Sequence, residues 1–404
     1  MHKKIAENRL FPTVIVTFLS LLGALSARAE DPDPFAIDLG PAAGAVVPAG
    51  TPGAGASLAP RSAPSGPAVS SSAIQNLNPD ISFLGDFLGG NQAALNERGG
   101  PLHRPVYLRE VELDGVGYVS PYAKAFFVAS FDEGGVSIEE AFMHFTELPA
   151  DLSLRLGKMY VDTDTVGPLH QHAIPFVDRP LAWHHILGGD GLKEVGANLS
   201  WLVPNPWDHF IQLSGMAGVN LADGDQYSAF YGGNLQSPLY SLRLGTSWDL
   251  FEASYINVNV SEVAAPLPDH SVTTVYVADA LVRYAPNPVS NSVSLLNGYI
   301  FNRGNPNQTG SFDAKGYYNY LGWQFSPRWR IGARHDWVTD PTFGGTERQY
   351  TGILSFYPTE TNYLRFQYGK RHLTPDDGSP EEWEDRIWLQ LNFSLGPHQA
   401  HTAL

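Results

Sequence analysis

The sequence predicts an all-β fold, a transmembrane antiparallel up-and-down β-barrel of about 16 strands with short periplasmic turns and longer extracellular loops. Three observations carry this reading. Apolar residues recur at every second position over segments of about 10 to 13 residues, short and long connections alternate between those segments, and aromatic residues gather at the short ones.

Composition points the same way. With 43% hydrophobic and 12% aromatic residues, 40 Gly and only 16% charged residues, the chain favours turns and strands over helices. It has no cysteine, although an exported chain could form disulfides. Stability therefore rests on burial or closed strand pairing, and thiol catalysis and cysteine metal sites are excluded. The formal net charge of -16 argues against nucleic acid as a partner.

The chain begins "MHKKIAENRLFPTVIVTFLSLLGALSARAEDPDP", with Lys3, Lys4 and Arg9 ahead of an apolar run from Phe11 to Leu25 and an Ala27-Arg28-Ala29 site. Residues 1–29 thus read as a secretory signal peptide, cleaved after Ala29. Its loss removes Lys3, Lys4, Arg9, Arg28 and Glu7, a net charge of +3, leaving about -19. Residues 30–75, exemplified by "PAAGAVVPAGTPGAGASLAPRSAPSGP", cannot bury enough apolar surface to offset their ordering entropy and read as a disordered tether. Residues 76–404 are left for the barrel.

Sixteen candidate strands begin near residues 80, 106, 122, 137, 152, 193, 208, 239, 250, 272, 291, 313, 328, 348, 361 and 383. In "DLSLRLGKMY", Leu152, Leu154 and Leu156 share a face opposite Ser153, Arg155 and Gly157. In "YLRFQYG", Leu364, Phe366 and Tyr368 oppose Arg365 and Gln367. Tight turns are expected at "VSPY" (119–122), "LPAD" (148–151), "VPNPW" (203–207), "SWDLF" (247–251), "APNPVSN" (285–291), "SPRW" (326–329) and "YPTET" (357–361), most with Pro beside Asp, Asn or Ser. The other eight connections are expected to be longer, polar and Gly-rich. Trp201, Trp207, Trp248, Trp329, Tyr357 and Tyr363 lie at short turns, where an interfacial girdle needs them. A soluble propeller or sandwich would also give many short strands, but it would not require alternating loop lengths.

A barrel of this size leaves an aqueous lumen, so its polar face is the functional one. Early strands supply Glu110, Glu112, Asp114, Glu140 and His144, and late strands supply Arg330, Arg334, Arg365 and Arg386, with Arg155 and Arg243 between. Facing inward, these groups would set acidic and basic walls against each other and orient dipolar solutes.

The connection 161–192 is the longest, at about 30 residues, and Ile174, Phe176, Val177, Leu181, Trp183, Ile186 and Leu187 make it apolar enough to pack. Pro175 and Pro180 fix the backbone around Asp178 and Arg179, which are placed to pair with wall residues of opposite sign. After them "LAWHHILGG" suits a short helix closed by Gly188 or Gly189. His170 and His172, two apart on an extended segment, offer half of a Zn²⁺ or Cu²⁺ site, with Asp162, Asp164, His184 or His185 as a third ligand. The alternative is histidines hydrogen-bonding within a packed loop. No other cofactor is expected. The chain lacks G-x-S-x-G, H-E-x-x-H, Walker A and G-x-G-x-x-G motifs. His144, His209 and His335 on candidate strands read as lumen or girdle residues, and no catalytic residue is assigned.

"NPDISFLGDFL" together with "RLGKMY", "HQHAIPFVDRPL" and "GANLSWLVPNPW" resembles a largely uncharacterised family of Gram-negative porin-like outer-membrane β-barrels, by motif over about Asn78 to Asn220. The strand "DRIWLQLNFSL", with Ile387, Leu389, Leu391, Phe393 and Leu395 on one face, resembles the terminal strand that the barrel-assembly machinery recognises. The resemblance implies the outer membrane of a Gram-negative bacterium and passive diffusion of small hydrophilic solutes or ions. It further implies that the third long loop, 161–192, folds inward and narrows the pore. Phe176, Asp178 and Arg179 would then meet Arg155, Arg330, Arg334, Arg365, Glu110, Glu112 and Glu140 there. The implied partners are outer-membrane lipid, the assembly machinery and two further copies in a homotrimer. The alternative is a plugged structural or surface-binding barrel, with or without a metal.

Overall fold

The computed structural model describes residues 79–91, 93–94, 105–207, 209–220, 228–230, 238–251, 253–266, 272–303, 314–340 and 344–396. The expected signal peptide and tether fall outside them. Sixteen antiparallel strands form a closed barrel: β1 Asp80–Gly90, β2 Val106–Ser120, β3 Ala123–Asp132, β4 Gly135–Leu148, β5 Leu152–Tyr160, β6 Lys193–Leu202, β7 Phe210–Asn220, β8 Pro238–Phe251, β9 Ser254–Pro266, β10 Val272–Asn287, β11 Asn291–Arg303, β12 Ala314–Ser326, β13 Trp329–Asp340, β14 Gly345–Thr359, β15 Asn362–Pro375 and β16 Glu382–Leu395. One helix, α1 Leu181–Leu187, interrupts the β5–β6 connection. Each strand pairs with its sequence neighbours, and β1 closes on β16 with Phe83 opposite Leu395 and Gly90 opposite Trp388.

The two faces follow the alternation. On β16, Ile387, Leu389, Leu391 and Phe393 are exposed, whereas Arg386, Trp388, Gln390 and Asn392 are buried. A closed ladder satisfies every strand's backbone groups, and an exposed apolar belt is then tolerated only in lipid. The polar residues point inward.

Three expectations need correction. The β3–β4 connection is only Glu133 and Gly134, so short and long connections do not alternate throughout. The Asp132 carboxylate accepts hydrogen bonds from the Gly134 and Gly135 amides at 2.7 and 2.8 Å, a tight turn that "FDEGG" makes without a long loop. "SWDLF" is the end of β8, because Trp248 and Leu250 continue the exposed apolar alternation and Phe251 still pairs with Ser254. Tyr357 and Tyr363 belong to no girdle. They lie under the inward guanidiniums of Arg330 and Arg365, at 5.5 and 4.6 Å from ring centre to charge.

Candidate functional site

Between β5 and β6, the chain from Val161 to Leu192 builds a packed body of its own. The Asp164 carboxylate accepts hydrogen bonds from Thr163 Oγ1 (2.7 Å), the Gly167 amide (2.8 Å) and Trp183 Nε1 (2.9 Å). Burial pushes the pKa of that carboxyl up, and these three donors oppose the rise. Arg179 closes the same body, its guanidinium donating to the carbonyls of Val166, Leu169 and Asp190. This corrects the expected pairing of Arg179 with an acidic wall residue: a fork of five donors suits converging carbonyls within the loop. Helix α1 follows Pro180, as expected, and ends at Gly188 with φ 100°.

The apolar side chains of this body sit against inward-facing residues of the later strands. Ile174, Phe176, Ala182, Trp183 and Ile186 are buried in a cluster with Leu239, Val275, Leu296, Ile300, Tyr318 and Tyr320, while Val177 packs separately with Leu88, Ala94 and Trp388. Trp183 meets Tyr318 edge-on at 4.7 Å between ring centres. Opposite them Gly298 leaves the room, since a Cβ there would stand 2.7 Å from Trp183 Cη2.

Polar ties extend the contact to strands around the barrel. Asp178 accepts from Arg334 Nη2 at 3.0 Å, from Gln349 Nε2 at 2.9 Å and from Gln367 Nε2, while its backbone carbonyl accepts from Arg334 Nη1 at 2.8 Å. Arg334 also pairs with Asp336 at 2.7 Å and lies 4.5 Å over the Phe176 ring. Arg365 donates to the Ile174 carbonyl (3.0 Å), and Tyr363 donates to that of His172 (2.8 Å). From β8, Arg243 pairs with Asp162 at 3.0 Å, and Arg155 on β5 stands 3.8 Å from the same acid. Arg330 donates to Gln324 Oε1 at 3.3 Å and lies over the Tyr357 ring at 5.5 Å.

The histidines lie at the early strands. His170 places Nδ1 3.1 Å from Glu112 and Nε2 3.2 Å from Glu140, so both ring nitrogens face carboxylates. His172 Nδ1 lies 3.4 Å from Glu112 and 3.8 Å from Glu110, and the two imidazoles stack at 5.7 Å. Burial opposes charge on both rings, but the facing glutamates outweigh it. They raise His172 to about 9 and hold His170 well above its ordinary value. The geometry is that of imidazoliums between carboxylates.

The third metal ligands expected from sequence lie elsewhere: Asp162 and Asp164 are engaged as above, and His185 faces Glu347 at 3.5 Å. Atoms of Glu110, Glu112 and His172 do come within 4.8 Å of one another. However, the same glutamates raise His172 to about 9, which favours its charged form, and Arg109 Nε already stands 3.9 Å from Glu110. Both oppose a second cation there.

Sequence reasoning missed Asp86, Arg109, Asp336, Glu347, Gln349 and Gln367. Arg109 was hidden by a bulge. Asp86 pairs with Glu110 and Phe87 with Leu108, so the register skips Arg109. Arg109 then pairs with inward Asp86 and donates to the Val177 carbonyl, although strict alternation would turn it away from Glu110. Arg109 among the early acids, and Asp336 and Glu347 among the late arginines, mean that each wall carries both signs.

No family model matches the chain. An uncharacterised protein of Aquifex aeolicus (strain VF5) is 24% identical over 375 residues, 80% of this chain and 79% of that protein. Among solved structures, Salmonella typhi OmpF in complex with daunomycin superposes with a TM-score of 0.51 at 10% identity, covering 80% of this chain and 99% of that one. An anion-selective porin from Comamonas acidovorans gives 0.50 at 10% identity over 79% and 99%. OprB of Pseudomonas putida at low pH gives 0.50 at 8% identity over 80% and 95%. At these identities the likeness is one of fold: the chain has the closed barrel of outer-membrane porins. With its lipid-facing belt, it is a barrel of the Gram-negative outer membrane.

Proposed function

We propose that this chain is an outer-membrane porin through which small hydrophilic solutes or ions diffuse passively, its pore narrowed by the inward-folded connection 161–192. The observation that carries the reading is a polar, inward face on a closed sixteen-strand barrel, with Asp178 of the connection held by Arg334, Gln349 and Gln367. In this reading Phe176, Asp178, Arg334 and Arg365 shape the narrowing from the late strands. Glu110, Glu112 and Glu140 shape it from the early ones, and Arg155 and Arg330 line the lumen. Residues 1–29 direct export, residues 30–75 form a tether, the terminal strand engages the assembly machinery, and the barrel assembles as a homotrimer.

One observation favours a second reading, a barrel plugged at rest. The connection's ties reach β2, β4, β8, β13, β14 and β15, more of the circumference than a loop lining one wall would touch. Planar-bilayer recording separates the two. Wild-type protein giving discrete conductance steps supports the porin. Steps that arise only when residues 165–188 are deleted support the plug. Silence from both proteins would end the pore reading.

A further inference from the structure

On the inward face of β10, Arg283 is buried to 4% exposure. Among the described residues nothing accepts a hydrogen bond from its Nε or its Nη1. Other inward arginines are matched: Arg109 by Asp86, Arg243 by Asp162, Arg334 by Asp178 and Asp336, Arg371 by Glu347, Arg386 by Glu384, and Arg365 by the Ile174 carbonyl and Gln390. Arg283 has instead a second cation in its field, Arg330, together with the phenol of Tyr255.

Its register neighbours are Tyr255 on β9 and Ser294 on β11, and the buried hydroxyls of Ser292 and Ser294 lie along that edge. A guanidinium cannot lose its proton to escape burial as a lysine can, so its charge has to be met by an anion or left costly. Hydroxyls and a planar fork of N–H donors are the groups that hold an oxyanion.

We propose that Arg283, with Arg330 and the Ser294 hydroxyl, forms an anion subsite in the lumen that takes a small oxyanion of the phosphate class. Its selectivity does not derive from the chain's overall charge, which is negative. At the early wall Asp86 and Glu112 already face Arg109, His170 and His172, whereas no carboxylate among the described residues meets the Nε or Nη1 of Arg283. As a statement about permeant solutes this rests on the porin reading, but as a binding site it stands apart from it.

The test titrates inorganic phosphate calorimetrically into the folded, detergent-solubilised full chain, with Arg283→Gln and Arg283→Lys alongside and strand circular dichroism as the folding control. Wild type should bind saturably, Arg283→Gln about tenfold or more weakly, and Arg283→Lys in between. Should Arg283→Gln fail to fold, Ser294→Val and Arg330→Gln should each weaken binding. Binding that is absent in wild type, or unchanged across the variants that fold, overturns the subsite. Bilayer recording then reports on the porin reading separately. Phosphate binding with no conductance would leave the subsite standing and remove the channel, whereas conductance with no phosphate binding would do the reverse.

Discussion

Replacing Asp178 by alanine should release the 161–192 connection from the late strands while the barrel stays closed. Asp178 holds Arg334 at 3.0 Å and Gln349 at 2.9 Å, and it also accepts from Gln367, with about nine-tenths of its side chain buried. Removing one partner of a buried charged pair costs about 3–5 kcal/mol when the other is left unmatched. Arg334 keeps Asp336 at 2.7 Å, which lowers the expected loss to about 3 kcal/mol, or about a hundredfold in the docking equilibrium. Because the chain has no cysteine, a single Ala173→Cys substitution in the buried connection gives an unambiguous reporter. Its thiol should react about a hundredfold faster in the Asp178→Ala background, measured against an exposed cysteine control. An acceleration below about threefold, with strand dichroism intact, would show that Asp178 does not hold the connection.

The same reporter reads the histidines. Because the facing glutamates raise both imidazoles, their contribution to docking is complete below the ordinary value of 6.5 and is lost as pH rises through about 9 for His172. Thiol exposure, normalised to the control, should therefore increase between those limits, and Glu112→Gln should flatten the profile. At Gly298, valine would collide with Trp183 and Tyr318 and should weaken docking by about 1–3 kcal/mol. Gly352→Ala, whose Cβ would meet nothing within 4 Å, should leave labelling unchanged.

The strands were legible because their signal is local. Fourteen of the sixteen observed strands begin within two residues of the position read from alternation; β9 begins at Ser254 instead of 250, and β14 at Gly345 instead of 348. Side chains two apart share a face of a strand, so apolar residues at that period declare the lipid side without knowledge of any partner. The 161–192 connection was legible as a packed element through its apolar content, its two prolines and the glycine after α1. Asp178 was correctly placed to meet a cation of the wall, Arg334.

Pairing was not legible, because it joins residues far apart in sequence through geometry that a local pattern does not carry. In sequence, the neighbours of His170 could be sought only within its own loop. In the fold its two ring nitrogens face Glu112 and Glu140, 58 and 30 residues away, at 3.1 and 3.2 Å. Arg179 and Arg334 carry the same charge, yet one ties the loop to itself and the other ties it to the wall. The sequence by itself determined the strand number and the lipid face, set by nearest-neighbour periodicity, and the existence of a foldable third loop, set by its apolar content and prolines. Tertiary structure alone decided which charges neutralise one another, because Arg109 meets Asp86 through a bulge between Asp86 and Phe87, and Arg334 meets Asp178 through the path of one loop across the barrel.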